Sequence, residues 1–297
     1  MMTNLNNKID FAVLIHVNNA NPNGDPLNGN RPRVNYQNHG EISDVCIKRK
    51  IRNRLMEAGY GIFVQSDDNR TDDYRSLRAR ADGELKGLNL KDQQIYRDKA
   101  CEKWLDVRAF GQVFAYSGTK KKGRKNEDGD KDEKGVSIGI RGPVSIHPAF
   151  SVSPISVTST QITKSVSGDG DGSQRGSDTM GMKHRVDHGL YVFKGSINPQ
   201  LASKTGFTPE DAVAIKEAIL RLFQNDASSA RPEGSLEVYR VYWWEHNSFV
   251  GQYSSAKVHQ SLQVSVKQGV TDPLSLLDYE IMLNPLSGLE PQVLEGY

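Results

Sequence analysis

The chain has 297 residues, enough for one large domain or two small ones, and its 36% hydrophobic and 25% charged content allows a buried core but not a generous one. The 38 Lys and Arg residues nearly cancel 36 Asp and Glu, so the net charge of +2 makes no case for nucleic acid, and any such case must come from local clustering. Two cysteines, Cys46 and Cys101, exclude a disulfide framework and the usual zinc spacings. Residues 1–10 are polar and do not read as a signal peptide, and no apolar run reaches the roughly 20 residues that span a bilayer. The expectation is a cytoplasmic protein with no membrane, metal or cofactor.

The first element is Phe11-Ala-Val-Leu-Ile-His-Val17, a continuous β-branched apolar run that predicts a central strand. The turn formers Asn18-Asn-Ala-Asn-Pro-Asn-Gly-Asp-Pro26 end it. A helix follows, with Ser43 as N-cap, Asp44 in its first turn and Ile42 and Ile47 spaced as a hydrophobic staple. Ile47, Ile51, Leu55 and Ala58 form its apolar stripe, and Gly59 closes it. Between 60 and 135 the pattern is weaker. Gln93 to Leu105 predicts a helix, and the charged stretch 120–134 predicts a loop.

Strands are predicted at Val136-Ser-Ile-Gly-Ile140, at Val144-Ser-Ile146, from Val152 to Ile162, and from Leu190 to Ile197, with a Gly-rich loop over 165–181. Thr208 caps a second helix, with Pro209, Glu210 and Asp211 in its first turn and Ile215, Ala218, Ile219 and Leu222 as its stripe. Leu236 to Trp244 is the last strong strand. The tail, broken by Pro273, Pro285 and Pro291, predicts irregular structure. The order strand, helix, strands, helix, strand fits an α+β fold, a ferredoxin-like βαββαβ sheet of the kind found in RNA recognition motifs. Long insertions at about 60–135 and about 150–186 interrupt it.

Five of the seven residues from Lys48 to Arg54 are basic. Helical spacing puts Lys48 and Arg52 one turn apart with Arg49 beside them, a cationic strip able to neutralise successive phosphates. Ser43 and the first-turn amides can hold another phosphate. The alternative is an ordinary solvated helix face, although this stretch has no acid after Asp44 and before Glu57. Among other motifs, the histidines show no metal-ligand spacing, and Gly168-Asp-Gly-Asp-Gly172 lacks the rest of a calcium loop. Trp243 and Trp244 are able to stack bases, but on a strong strand at least one of them belongs to the core.

Several strings together resemble one family. They are Asn21-Pro-Asn-Gly-Asp-Pro-Leu-Asn-Gly29, Arg31-Pro-Arg33, Ile42-Ser-Asp-Val-Cys-Ile-Lys-Arg-Lys-Ile-Arg-Asn53, Gly139-Ile-Arg-Gly-Pro-Val-Ser-Ile146, Thr160-Gln-Ile-Thr-Lys164, Gly176-Ser-Asp-Thr-Met-Gly-Met-Lys-His-Arg-Val186 and Gly189-Leu-Tyr-Val-Phe-Lys-Gly-Ser-Ile197. The chain resembles, over most of residues 9–245, the backbone subunit of the type I-C CRISPR Cascade complex. That subunit is the Csd-type member of the "Cas seven" superfamily of RAMP proteins. The resemblance implies a single RRM-like palm over 1–297, with a finger insertion at about 60–135 and a thumb hairpin at about 150–186. It implies copies stacked along a CRISPR RNA, holding its phosphates and presenting its bases to target DNA, beside the Cas five type and large subunits of Cascade. By position, Lys48, Arg49 and Arg52 would hold the guide backbone, with Asn21, Asn23, Arg31 and Ser43 adjoining. In the thumb, Lys164, Lys183, His184 and Arg185 would grip phosphate, and Met180 and Met182 would wedge between bases; local packing within the hairpin is the competing reading. A different branch of the superfamily cleaves RNA through an acid near the position of Asp25. The motif here is of the non-cleaving kind, so no catalytic residue is expected.

Overall fold

The computed structural model describes residues 4–88, 92–116, 136–163 and 180–297. Lys164, the charged stretch 120–134 and the Gly168–Gly172 string lie outside them. In chain order the elements begin with β1 (Ile9–Ala20), β2 (Gly24–Asp25), β3 (Arg31–Pro32), β4 (His39–Ile42) and α1 (Asp44–Glu57). Then come α2 (Leu77–Glu84), α3 (Gln93–Lys103), α4 (Leu105–Phe110), β5 (Gly111–Tyr116), β6 (Val136–Arg141), β7 (Val144–Ile146), β8 (Ala149–Pro154) and β9 (Val157–Thr163). The remainder is β10 (Met180–Ile197), α5 (Pro199–Thr205), α6 (Pro209–Leu220), β11 (Leu236–Glu245), α7 (Ser255–Ser261), β12 (Leu262–Val266), β13 (Tyr279–Leu283) and β14 (Gln292–Leu294).

The main sheet runs β14-β11-β1-β10-β8-β4, with β7 and β9 also on β10. Its apolar run puts β1 at the centre, paired antiparallel to β10 from Ile9–Ile197 to Ala20–Val186 and to β11 on its other side. Because β8 and β11 pair antiparallel to β10 and β1, the connection through α1 joins parallel strands, and so does the one through α6. Each of those pairs is split by a strand between them.

Both helices pack on one sheet face. Phe11, Val13, Ile15 and Val17 of β1 meet Ile47, Ile51 and Leu55 of α1 and Ile215, Ala218 and Ile219 of α6. The caps form as the sequence predicts. Ser43 accepts from Cys46 N–H, and Thr208 and Asp211 make a reciprocal capping box. Ala58 departs from the expected stripe: it is the exposed C-cap of α1.

The opposite face is covered by the tail, where the irregular expectation fails. Ala12, Leu14, Leu190, Tyr242 and Trp244 pack under Val258, Leu262, Tyr279 and Leu289. The tail prolines fall between α7, β12, β13 and β14 rather than inside them, so they interrupt no ladder. Trp243 and Trp244 point to opposite faces, and both are buried; Trp243 stacks on Phe11 at 5.4 Å between ring centroids. Neither is available to a base. A separate core of Phe63, Tyr96, Trp104, Phe114 and Ile138 holds the described part of the 60–140 region.

Candidate nucleic-acid interface

The segment between β1 and α1 is tied down at several points. Asn21 is buried, and its Nδ2 donates to the Asn30 carbonyl at 2.7 Å. Its Oδ1 is also buried and accepts no hydrogen bond among the described residues. Asn23 Oδ1 accepts from both the backbone N–H (2.9 Å) and the hydroxyl (3.0 Å) of Ser43, while Ser43 Oγ accepts from Cys46 N–H. The side chains of Asn23 and Ser43 therefore hold the loop against the N-terminus of α1.

The cationic strip is also changed by its surroundings. Carboxylates remote in sequence reach it, which helical spacing alone does not reveal. Lys48 Nζ lies 3.0 Å from Asp44, one turn back, and Arg49 lies 3.3 Å from Asp68 with both side chains open to solvent. Arg52 is 12% exposed, and its Nε donates at 2.8 Å to Asp106, which is 1% exposed and also accepts from the Phe63 and Val64 N–H groups. The Arg52 guanidinium lies over the Phe110 ring. Arg52 is thus the bolt between α1 and the 60–110 region, a correction to its expected role on an open strip. Lys50 and Arg54 turn inward as well. Lys50 pairs with Asp226, and burial lowers its pKa against the pull of that carboxylate. Arg54 forks onto Glu57. Of the cations on α1, Arg49 is the most accessible.

The second candidate element is the hairpin of β9 with the first part of β10, in register from Met180–Thr163 to Val186–Val157. Strand alternation puts Met180, Met182, His184 and Val186 on one face and Lys183 and Arg185 on the other. Met180 is 67% and Met182 54% exposed. Both side chains are largely open to solvent, although Met180 Sδ also meets Gln161 Nε2 of β9 at 3.4 Å. Lys183 and Arg185 are exposed, with Arg185 3.3 Å from Asp187. His184 does not match its expected role as an open phosphate grip, because it is buried and its Nδ1 meets Ser159 Oγ at 2.8 Å. The same hydroxyl accepts from Arg31 at 2.9 Å. Arg31, Ser159 and His184 therefore join the loop after β1 to the hairpin.

The structure thus brings the loop, the start of α1 and the hairpin into one connected surface. Its exposed side chains include Leu27, Met180, Met182, Lys183 and Arg185, with Arg49 further along α1; Arg33, paired to Asp25, and the exposed Tyr36 lie in the same loop, and sequence reasoning passed over these two. Arg33 sits in the Arg31-Pro-Arg33 string. Tyr36 had no motif, and its signal was an aromatic flanked by amides. Asp25 Oδ1 accepts from Leu27 N–H at 3.2 Å and lies 3.3 Å from Arg33, so it closes a turn. No helix of the described residues is long and apolar enough to cross a membrane.

Comparison with known proteins identifies the family. The model of the family described as CRISPR-associated protein Cas7 matches residues 7–284. A CRISPR-associated protein Cas7 of Haloferax volcanii is 26% identical over 257 residues, 84% of this chain and 74% of that protein. Among solved structures, a chain of a CRISPR RNA-guided surveillance complex in a pre-nicking state has a TM-score of 0.47 at 14% identity, covering 90% of this chain and 84% of its own. A chain of another such complex has a TM-score of 0.44 at 16% identity, covering 89% and 78%. The match over nearly the full length decides the matter: this chain belongs to the Cas7 family of CRISPR-associated proteins.

Proposed function

We propose that this chain is a CRISPR RNA-binding backbone subunit of a type I-C Cascade surveillance complex, acting in the cytoplasm and without catalytic activity of its own. Several copies would lie along one guide, hold its phosphates and leave its bases free to pair with target DNA, beside the Cas five type and large subunits. Family membership supports the CRISPR setting. The observation that carries the RNA reading is the connected surface. The loop after β1, the start of α1 and the β9–β10 hairpin are linked by hydrogen bonds, with Arg49 exposed on α1, Lys183 and Arg185 exposed on one face of the hairpin, and two solvent-exposed methionines on its other face. Cations of this kind grip a backbone whatever its sequence, and base pairing by the guide supplies specificity. Paired methionines on one strand face suit insertion between bases.

The order β11-β1-β10-β8, with α1 and α6 on one face, supports the RRM-like palm, since it has the split β-α-β arrangement of ferredoxin-like folds. An ordinary RNA recognition motif stacks bases on its open sheet face. Here the tail covers that face, which favours the loop and hairpin side for the RNA. The non-catalytic reading is supported by the commitment of Asp25 to its turn and to Arg33.

The test is salt-dependent binding of single-stranded RNA by the double variant Arg49→Gln with Lys183→Gln. Each lost phosphate contact should flatten the slope of log K against log salt by about 0.7, so by about 1.4 together. An unchanged slope in the folded variant removes these residues from the site. Regular metal-dependent cleavage of target RNA by the assembled complex, abolished by Asp25→Ala, would replace the non-catalytic reading.

A further inference from the structure

We infer that the turn at 34–40 is a nucleobase-stacking site with the Tyr36 ring as its platform, an inference that rests on the RNA-binding reading above. Tyr36 is fully exposed, at 108% of its reference area. A lone exposed apolar side chain is ordinary, so exposure alone says little. What sets Tyr36 apart is the bracing beneath it.

Asn35 Oδ1 accepts from the N–H groups of Gln37 (2.9 Å) and His39 (3.0 Å), and the Asn35 carbonyl accepts from Asn38 N–H. Asn38 takes the left-handed conformation at φ 61°, where a short amide side chain is tolerated. Val34 and Gly40 close the turn as an antiparallel bridge. From below, the Asn38 carbonyl accepts from Ile155 N–H, His39 Nδ1 meets the Ser151 carbonyl at 2.7 Å, and Gly40 N–H donates to Ser151 Oγ at 2.8 Å. Gly40 lies so close over Tyr191 that a Cβ would come within 2.1 Å of the hydroxyl. The backbone carrying Tyr36 is therefore fixed before any partner arrives, and binding would freeze little beyond the two torsions of the tyrosine.

The chemistry around the ring favours a single-stranded nucleic acid over a protein. No carboxylate lies between Asp25 and Glu41, whereas Arg31, Arg33 and His39 do, Arg33 being paired to Asp25 at 3.3 Å. Beside Tyr36, Gln37 and Asn38 are exposed and carry amides suited to base edges, while Val34, two residues before the ring, is the one exposed apolar side chain of the turn besides Tyr36 itself. Position agrees. Arg33 N–H donates to the Asn23 carbonyl in the loop that caps α1, and Ile155, which bonds the turn, lies two residues before β9. The turn is thus tied on one side to the loop that caps α1 and on the other to the segment that leads into β9, the two elements proposed to hold phosphate. Every base offers a face to stack on, so the contact is tolerant of sequence.

The experiment uses the full chain and a 30-nucleotide single-stranded RNA at low salt. Trp104, Trp243 and Trp244 are all buried, so Tyr36→Trp adds an exposed indole that reports on this turn. RNA should quench that added emission. Tyr36→Ala should weaken binding by about 5- to 150-fold, the equivalent of the ~1–3 kcal/mol of a base–aromatic stack. Its salt slope should stay that of the unmodified chain, because no phosphate contact is lost. Tyr36→Phe, which keeps the ring, should restore the affinity. Unchanged affinity in Tyr36→Ala with an unquenched indole overturns the site and leaves the RNA reading standing. Quenching by protein concentration alone, without RNA, makes the turn a contact between copies and also overturns it. Absence of RNA binding by the unmodified chain removes the functional reading and this site together.

Discussion

Replacing Arg52 with alanine separates the structural part of α1 from the part proposed to hold RNA. The Arg52–Asp106 pair is nearly dry, with side chains 12% and 1% exposed and an N–O distance of 2.8 Å. Breaking a buried pair from one side costs about 3–5 kcal/mol, because the remaining charge loses its partner. In Arg52→Ala, Asp106 still accepts from the Phe63 and Val64 N–H groups, so the cost falls at the lower end, about 3 kcal/mol. Asp106→Ala strands a guanidinium and two amides at once and should cost about 5 kcal/mol, a large share of the ~5–15 kcal/mol that holds a domain together. At about 2 °C per kcal/mol for a chain of this size, the melting temperature should drop by about 6 °C and about 10 °C. Arg49→Ala breaks only an open pair, worth about 0–1 kcal/mol, and should melt within about 2 °C of the unmodified chain while losing RNA affinity. Thermal unfolding by circular dichroism, read beside RNA binding, gives both numbers. The reasoning is refuted if Arg52→Ala melts within about 1 °C of the unmodified chain and loses RNA affinity instead.

Three further outcomes follow from buried groups. Gly40→Ala should cost about 1–3 kcal/mol by pressing on the Tyr191 hydroxyl, and adding Tyr191→Phe should recover part of it, because that hydroxyl is buried without a hydrogen-bond partner among the described residues; no recovery would mean the clash is not with that oxygen. Burial holds His188 below the usual imidazole range, with His16 adding to the shift and Asp278 and Asp272 opposing it, and burial does the same for His259 against the Gly195 carbonyl and Asp10. The unfolded chain then binds more protons than the folded one as pH falls below the ordinary value of 6.5, so stability should be fully present above that value and decline below it; a melting temperature that rises on acidification through this window contradicts the assignment. Burial, helped by Asp98, pushes the Cys101 thiol up to about 12, and burial raises Cys46 too, so neither should react with a thiol reagent at pH 8 until denatured; rapid labelling of Cys101 in the native chain would contradict that burial.

Local signals were legible in the sequence. The apolar run of β1, the Ser43 and Thr208 caps and the stripes of α1 and α6 all depend on neighbours within a few residues, and the structure forms them, with Ala58 alone dropping out of the α1 stripe. The ionic state of α1 was not legible, because Asp68, Asp106 and Asp226 reach it from 19 to 176 positions away. Burial of His184 depends likewise on a cross-strand serine and on an arginine from another loop. The tail was readable in part. Leu262, Val264 and Val266 alternate with Gln263 and Ser265, and Ser254 caps α7, but the nearby prolines masked a pattern that they only punctuate. The pairing of Trp243 with one core and Trp244 with another follows from strand alternation once both sheet faces are known to be covered.

The central claim is that copies of this chain line up along RNA and hold its backbone. Nuclease protection of an end-labelled single-stranded RNA, titrated to saturation with the chain, tests it most directly. The account expects protection that repeats at a constant interval along the strand, independent of base sequence and lost as salt rises. A single footprint tied to one sequence, or no protection at low salt, would contradict it.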